Sequence, residues 1–154
     1  MRATIAFFPD PILTGLTYSA HRPSAFPGGA ARYFVNASAY TGGWPKRVVG
    51  RGYPALKVVD RKDTYWFSSP AEIDLFCAVM GERLLPSVRN IAAREGTLRL
   101  NSHWLSRVPK RSYKERHRLV DFIGKNDHGF RKLFVSEGAA PDVPVPLRAI
   151  GPGP

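Results

Sequence analysis

The alternation of apolar and polar positions in the first part of the chain predicts β-strands. Residues 3–8 read ATIAFF, and two prolines follow almost directly. Because proline cannot donate a hydrogen bond to a neighbouring strand, we expect the strand to end there. Residues 14–32 are rich in Gly, Pro and Ser and predict a surface loop. A second alternating run at 32–40 predicts a further strand.

The strongest strand pattern lies in the middle of the chain. The apolar runs 55–59 and 64–68 flank the polar residues 60–63, Asp-Arg-Lys-Asp. Two such runs around a short polar stretch predict an antiparallel hairpin, here with a four-residue loop.

Helical spacing begins immediately after this hairpin. Ser69 and Glu72 have the spacing of a capping box, and Pro70 lies at the first helical position, where its missing N–H costs nothing. Asp74 and Glu82 are expected to give this helix an acidic outer face. The apolar residues that recur every three or four positions predict one buried stripe: Ile73, Phe76, Cys77, Met80 and Leu84.

A second amphipathic helix is predicted from the capping box of Ser112 and Glu115, with Gly124 as its stop. At 100° per residue, one side collects Leu119, Val120, Phe122 and Ile123, and the other collects Lys114, His117, Arg118 and Asp121. Arg116 falls near the apolar side, so its charge must reach solvent or find a carboxylate.

Shorter helical segments are expected at about 87–95, ended by Gly96, at 103–108, and at 127–135. The proline- and glycine-rich residues 138–154 predict an extended or disordered tail. Together these patterns predict an α+β fold, in which a small antiparallel sheet from the N-terminal half is packed by helices from the C-terminal half. We expect a single globular domain over residues 1–137.

Composition narrows the class of protein. A chain of 154 residues with 44% hydrophobic content can bury one sizeable core. We find no apolar run of the kind that a secretory leader or a membrane span requires, so we expect a cytoplasmic protein without a membrane partner. The lone cysteine, Cys77, has no partner for an internal disulfide and suits a reducing compartment.

The formal net charge of +11 is unevenly distributed along the chain. Residues 46–62 carry six basic residues and one acid, and residues 83–132 carry thirteen basic residues and four acids. Residues 63–82 carry four acids and no base. Two concentrated basic segments favour a polyanionic partner, because lysine and arginine neutralise a phosphate backbone and release its counterions.

The candidate contacts follow from these two segments. We predict phosphate contacts from Lys46, Arg47, Arg51, Arg107, Lys110, Arg111, Lys114 and Arg118. The aromatics near these bases could stack on unpaired nucleotides, although packing in the core is the simpler interpretation of each: Trp44, Trp104 and Tyr113.

The sequence therefore favours a non-catalytic protein that binds nucleic acid or associates with a nucleoprotein. The alternative is a small inhibitor or adaptor of phage or mobile-element type, similar to anti-CRISPR proteins, that docks onto a larger nucleic-acid-processing complex.

A metal-dependent nuclease is a third hypothesis. Pro9-Asp10 and Asp60-Arg61-Lys62 match the letters of the PD-(D/E)xK nuclease pattern. In that family the second acid and the lysine lie on a strand, whereas here they fall in the predicted hairpin turn. The four histidines lack the spacing of a zinc site, and no Gly-x-Ser-x-Gly sequence is present, so we predict no metal, no cofactor and no catalytic residue.

Overall fold

The structure, a computed structural model, describes residues 1–14, 16, 46–94, 104–135 and 148–149. Its main sheet is antiparallel and consists of β1 (Arg2–Phe8), β3 (Tyr53–Asp60) and β4 (Asp63–Phe67), with β3 in the centre. The short strands β2 (Ile12–Leu13) and β5 (Arg148–Ala149) pair in parallel. The helices are α1 (Pro70–Gly81), α2 (Val88–Arg94), α3 (Tyr113–Asn126) and α4 (His128–Val135), and Trp104–Arg107 forms a 3-10 turn.

The predicted α+β class is confirmed, because the sheet of the N-terminal half packs against helices of the C-terminal half. The predicted strand at 3–8 corresponds to β1. The predicted strand at 32–40, nearly all of the loop at 14–32 and all of the tail except residues 148–149 lie outside the described residues.

One face of the sheet carries the core. Leu56 and Val58 of β3 and Phe67 of β4 are buried against side chains of the helices. Phe76 of α1 lies between strand and helix layers, with its ring centroid 5.2 Å from that of Phe67. Burial of these large apolar side chains is the main favourable term that holds the layers together. The helical side chains at the centre of this core are Ile73, Phe76, Met80, Leu119, Ile123 and Phe130.

The hairpin between β3 and β4 has a two-residue turn, so the predicted four-residue loop is wrong. Asp60 and Asp63 are paired across the strands, which leaves Arg61 and Lys62 at the tip. Arg61 adopts a φ of 57°, the left-handed conformation that two-residue hairpin turns commonly require. The two aspartates can face each other because Arg111 binds both carboxylates.

Helix α1 begins at Pro70 as predicted, and the Ser69 hydroxyl accepts a hydrogen bond from the Glu72 backbone N–H at 3.2 Å. The Glu72 carboxylate is buried and accepts hydrogen bonds from the Thr14 hydroxyl at 2.7 Å and the Ser68 N–H at 2.6 Å. The prediction that Leu84 is buried is wrong. Because α1 ends at Gly81, Leu84 leaves the helical stripe and its exposed fraction is 84%.

Helix α3 has the complete predicted capping box. The Ser112 hydroxyl accepts from the Glu115 N–H, and the Glu115 carboxylate accepts from the Ser112 N–H. The predicted stop at Gly124 is wrong, since the helix continues to Asn126. A glycine inside a helix costs at most about 1 kcal/mol, and the Asn126 side-chain amide donates to the Phe122 carbonyl at 2.7 Å in the added residues.

No helix within the described residues has both the length and the apolar character needed to cross a lipid bilayer. The longest described helix, α3, has 14 residues and carries a charged outer side.

Candidate functional site

The predicted phosphate contacts of residues 46–51 and Arg111 lie at opposite ends of the central strand. Residues 46–51 precede Tyr53, where β3 begins, and Arg111 binds Asp60, where β3 ends. Seven residue steps of an extended strand separate these ends, a distance of about 23 Å. The two sets of basic side chains therefore lie at separate places in the fold.

At the beginning of β3, two of the three predicted phosphate contacts are engaged by the fold itself. The Lys46 ammonium donates to the Phe134 carbonyl at 2.8 Å, close to the end of α4. The Arg51 guanidinium lies over the Phe7 ring, 3.8 Å from its centroid. Arg47 is exposed.

At the other end, Arg111 is an internal residue. Its guanidinium forms ion pairs with Asp60 and Asp63, and its side chain is only 6% exposed. Burial lowers the pKa of Arg111, but the hydrogen bonds to the two carboxylates outweigh burial and raise it. Arg111 was predicted to contact phosphate, and the structure instead assigns it to fastening the hairpin to the segment before α3.

The predicted stacking residues also separate. Trp104 is buried in the core, with its ring centroid 5.7 Å from that of Phe76, so a base cannot reach it. Tyr113 is 44% exposed, and its ring meets His117 edge to face. Trp44 and the side chain of Arg107 lie outside the described part of the chain.

Arg116 is buried as well, although the sequence left open how its charge is satisfied. Its guanidinium donates to three backbone carbonyls at the end of α1, those of Met80 at 2.6 Å, Glu82 at 2.8 Å and Arg83 at 3.2 Å. A helix C-terminus presents unpaired carbonyls and a partial negative charge, which suits a cation. The partner is thus a helix end and not a carboxylate.

The outer side of α3 carries exposed bases in a row. At 100° per residue, Lys114, Arg118 and Lys125 fall within about 40° of one another, on the side opposite Leu119 and Ile123. All three are exposed. We call Lys114, Arg118 and Lys125 the basic ridge; it extends about 16 Å along the helix axis. The sequence prediction missed Lys125, although its helical spacing from Arg118 could have identified it.

Three further bases surround the beginning of α3. The Arg61 guanidinium at the hairpin tip contacts the Glu115 carboxylate at 3.1 Å, while Lys62 and Lys110 are exposed. Hydrogen bonds from Ser112 lower the pKa of Glu115, and the contact with Arg61 lowers it further. Arg61 and Lys62 were not among the predicted phosphate contacts. Only the hairpin geometry brings them beside the helix.

Acidic side chains limit the patch. Asp121 lies about 20° beyond Lys114 around the helix and contacts His117 at 3.2 Å. On the other flank, Glu115 is paired with Arg61. The Glu115 carboxylate is therefore paired with a guanidinium, whereas the partner of Asp121 is an imidazole; the ridge itself is exposed.

The residues of the nuclease hypothesis are arranged differently from a metal site. The Asp60 carboxylate is bound by Arg111, so a guanidinium already occupies the position next to it. Within the described residues, no three His, Cys, Asp or Glu side chains come together as candidate metal ligands.

Comparison of the chain with protein families, with curated proteins and with solved structures finds no match.

Proposed function

We propose that the protein binds nucleic acid without catalysis, and that the basic ridge and the bases around the beginning of α3 contact the phosphate backbone. The set comprises Arg61, Lys62, Lys110, Lys114, Arg118 and Lys125. The observation that carries the proposal is the alignment of three exposed bases on the outermost line of α3. Phosphates repeat regularly along a nucleic-acid strand, so a row of cations is the arrangement that matches them.

The rigidity of this surface supports the proposal. The capping box fixes the start of α3, and Arg111 ties the preceding segment to both strands of the hairpin. Arg116 anchors the inner side of the same helix to the end of α1. Cations held on a fixed frame lose less conformational freedom when a partner binds.

The experiment is a titration of labelled duplex DNA, single-stranded DNA and RNA with the protein at several salt concentrations, and fluorescence anisotropy measures the binding. If six side chains meet phosphates of a duplex, affinity falls by about three orders of magnitude between 50 and 200 mM salt. Neutralising the ridge with Lys114→Gln/Arg118→Gln/Lys125→Gln removes three contacts and reduces the loss over that range to about 40-fold.

The control is Arg47→Gln/Arg89→Gln, which removes two exposed positive charges that are not in the proposed set. We expect it to leave the salt dependence of duplex binding nearly unchanged. Binding that is insensitive to salt, or equally weakened by both sets of substitutions, would contradict the proposal.

A second candidate, docking onto a protein, is favoured by exposed apolar residues after α1. Leu84 and Leu85 are 84% and 39% exposed and follow Arg83, which gives this segment an apolar and basic character. Such a surface suits an acidic protein partner of a nucleoprotein complex. A complex that survives nuclease and high salt but is lost with Leu84→Ser/Leu85→Ser would support this candidate over direct binding.

A further inference from the structure

The main sheet has a second face, turned away from the helices. Strand alternation assigns its residues, because Ala3, Leu56, Val58, Tyr65 and Phe67 pack towards the helical core and their neighbours point the other way. We call this the outer sheet face. Its residues are Arg2, Thr4, Ala6 and Phe8 of β1, Tyr53, Ala55, Lys57 and Val59 of β3, and Thr64 and Trp66 of β4.

Two aromatic rings from the edge strands meet across this face. The ring centroids of Phe8 and Trp66 lie 5.7 Å apart at an interplanar angle of 65°. By strand register both residues are diagonal neighbours of Ala55, whose small side chain is fully buried on the central strand. Phe8 and Trp66 are partly exposed, whereas Tyr53 on the same face is buried.

The charges on this face have one sign. The Lys57 ammonium lies 5.2 Å from the centroid of the Trp66 ring, and Arg2 is exposed on the neighbouring strand. The residues that form the outer sheet face include no aspartate or glutamate. Aromatic rings beside cations suit a ligand with flat rings and negative charge, which is the chemistry of an unpaired nucleotide.

We propose that the outer sheet face binds single-stranded nucleic acid, with unpaired bases stacked on Trp66 and Phe8 and phosphates contacted by Lys57 and Arg2. The inference rests on the proposed function and adds to it a second surface that is specific for strands with unpaired bases. Lys57 has a flexible stem, so its ammonium can move from the Trp66 ring to a phosphate when a base covers the ring. Paired bases are buried within a duplex and cannot stack on these rings.

The hairpin tip connects this face to the basic ridge. Arg61 and Lys62 join β3 to β4, and Arg61 also contacts α3 through Glu115. Asp60, the last residue of β3, lies three residues beyond Lys57, about 10 Å along the strand. A single strand that leaves the outer sheet face at this end therefore meets cations that lead towards the ridge.

The test measures binding and stacking separately. Anisotropy of labelled oligothymidylate reports binding, and quenching of tryptophan emission by unlabelled oligothymidylate reports stacking. The chain has two further tryptophans: Trp104 is buried and keeps its emission, and Trp44 is replaced by phenylalanine in every protein of this experiment. Against that background we expect strong quenching that is lost when Trp66→Phe is added. Heparin carries charge but no bases, so we expect it to bind without quenching Trp66.

The substitution Trp66→Leu keeps apolar bulk but removes the stacking surface. We expect single-strand affinity to fall by between about fivefold and about a hundredfold, with duplex affinity unchanged. Phe7→Leu is the matched control, because Phe7 is the neighbour of Phe8 on β1 and points to the opposite side of the sheet. Lys57→Gln removes the cation without touching a ring, and we expect a smaller loss with a reduced salt slope.

The outcomes distinguish the two proposals. Salt-dependent binding of oligothymidylate without Trp66 quenching, or equal losses from Trp66→Leu and Phe7→Leu, would overturn the sheet-face proposal and leave the proposed function intact. Absence of binding to every nucleic acid would overturn both. If Trp66→Leu does not fold, two results decide the question: the difference in tryptophan quenching between the proteins with and without Trp66→Phe, and the effect of Lys57→Gln on single-strand affinity.

Discussion

The predicted phosphate contacts of residues 46–51 and those around α3 both lie in basic parts of the sequence, but their side chains contact different partners. In residues 46–51, Lys46 holds the end of α4 and Arg51 covers an aromatic ring of β1. The segment around α3 divides its charges between two sides. Its inner side anchors the hairpin and α1 through Arg111 and Arg116, while the basic ridge is exposed on its outer side.

This difference teaches that the position of a charge within an element decides its role. Arg116 and Arg118 are two residues apart, which places them on nearly opposite sides of α3. One is 3% exposed and satisfies backbone carbonyls, and the other faces solvent. A count of bases in a window gives both the same weight, so it overestimates the charge available to a partner.

The largest effect on stability is expected from substituting each of the two arginines of α3 in turn. Arg116→Met leaves the carbonyls of Met80, Glu82 and Arg83 without their donor, and we expect the free energy of unfolding to fall by about 3 kcal/mol or more. Arg118→Met should change it by less than about 0.5 kcal/mol. Urea unfolding measures both, and equal losses would remove the distinction between the inner and outer sides.

A smaller effect is expected at the turn between Val48 and Gly52. Gly52 has a φ of 96°, and a Cβ there would lie 2.2 Å from the Phe8 carbonyl oxygen. We expect Gly52→Ala to cost about 2–4 kcal/mol, since strain and a backbone clash combine. Gly50 has a φ of 73° but open space around it, so Gly50→Ala should cost about 1–2 kcal/mol. Thermal or urea unfolding that ranks the two in the reverse order would show that this turn does not fix β1 against β3.

A reciprocal pair of substitutions separates folding from binding. Lys46→Gln removes the hydrogen bond to Phe134 and should lower the free energy of unfolding by about 1 kcal/mol, with little change in the salt slope of binding. Arg118→Gln should leave stability unchanged and reduce the slope for duplex DNA by about 0.9. Unfolding titrations give the free energy of unfolding of each variant, and anisotropy titrations give the salt slope of binding of each. A larger slope change from Lys46→Gln would reverse our assignment of the two segments.

The smallest effect concerns pH at the beginning of α3. Hydrogen bonds from Ser112, with Arg61 assisting, hold the pKa of Glu115 below its ordinary value of 4.5. The charged carboxylate therefore stabilises the fold above that value, and this contribution disappears as the pH falls through the lower folded-state pKa. Glu115→Gln should have a lower Tm than wild type at neutral pH, with the gap closing in acid. A gap that persists at the lowest pH would show that ionisation of Glu115 does not stabilise the helix start.

Local patterns determined much of the fold. The starts of α1 and α3 follow from Ser69 and Ser112 with an acid three residues later, and β1 and the hairpin strands follow from short apolar runs. The sequence also determined which residues of α3 face the core, because 100° per residue fixes their directions. These features depend on interactions between residues a few positions apart, so a single sequence contains the information.

Only the tertiary structure decided which charges remain exposed and which elements end where they do. Arg111 meets Asp60 from 51 positions away, Arg116 meets the end of α1 from 33 to 36 positions away, and Lys46 meets Phe134 across 88 positions. The pairing of Phe8 with Trp66 likewise depends on neighbours that are distant in the chain. No local pattern specifies such partners, because packing of the layers brings them together and burial then makes an unpaired charge too costly to leave unsatisfied.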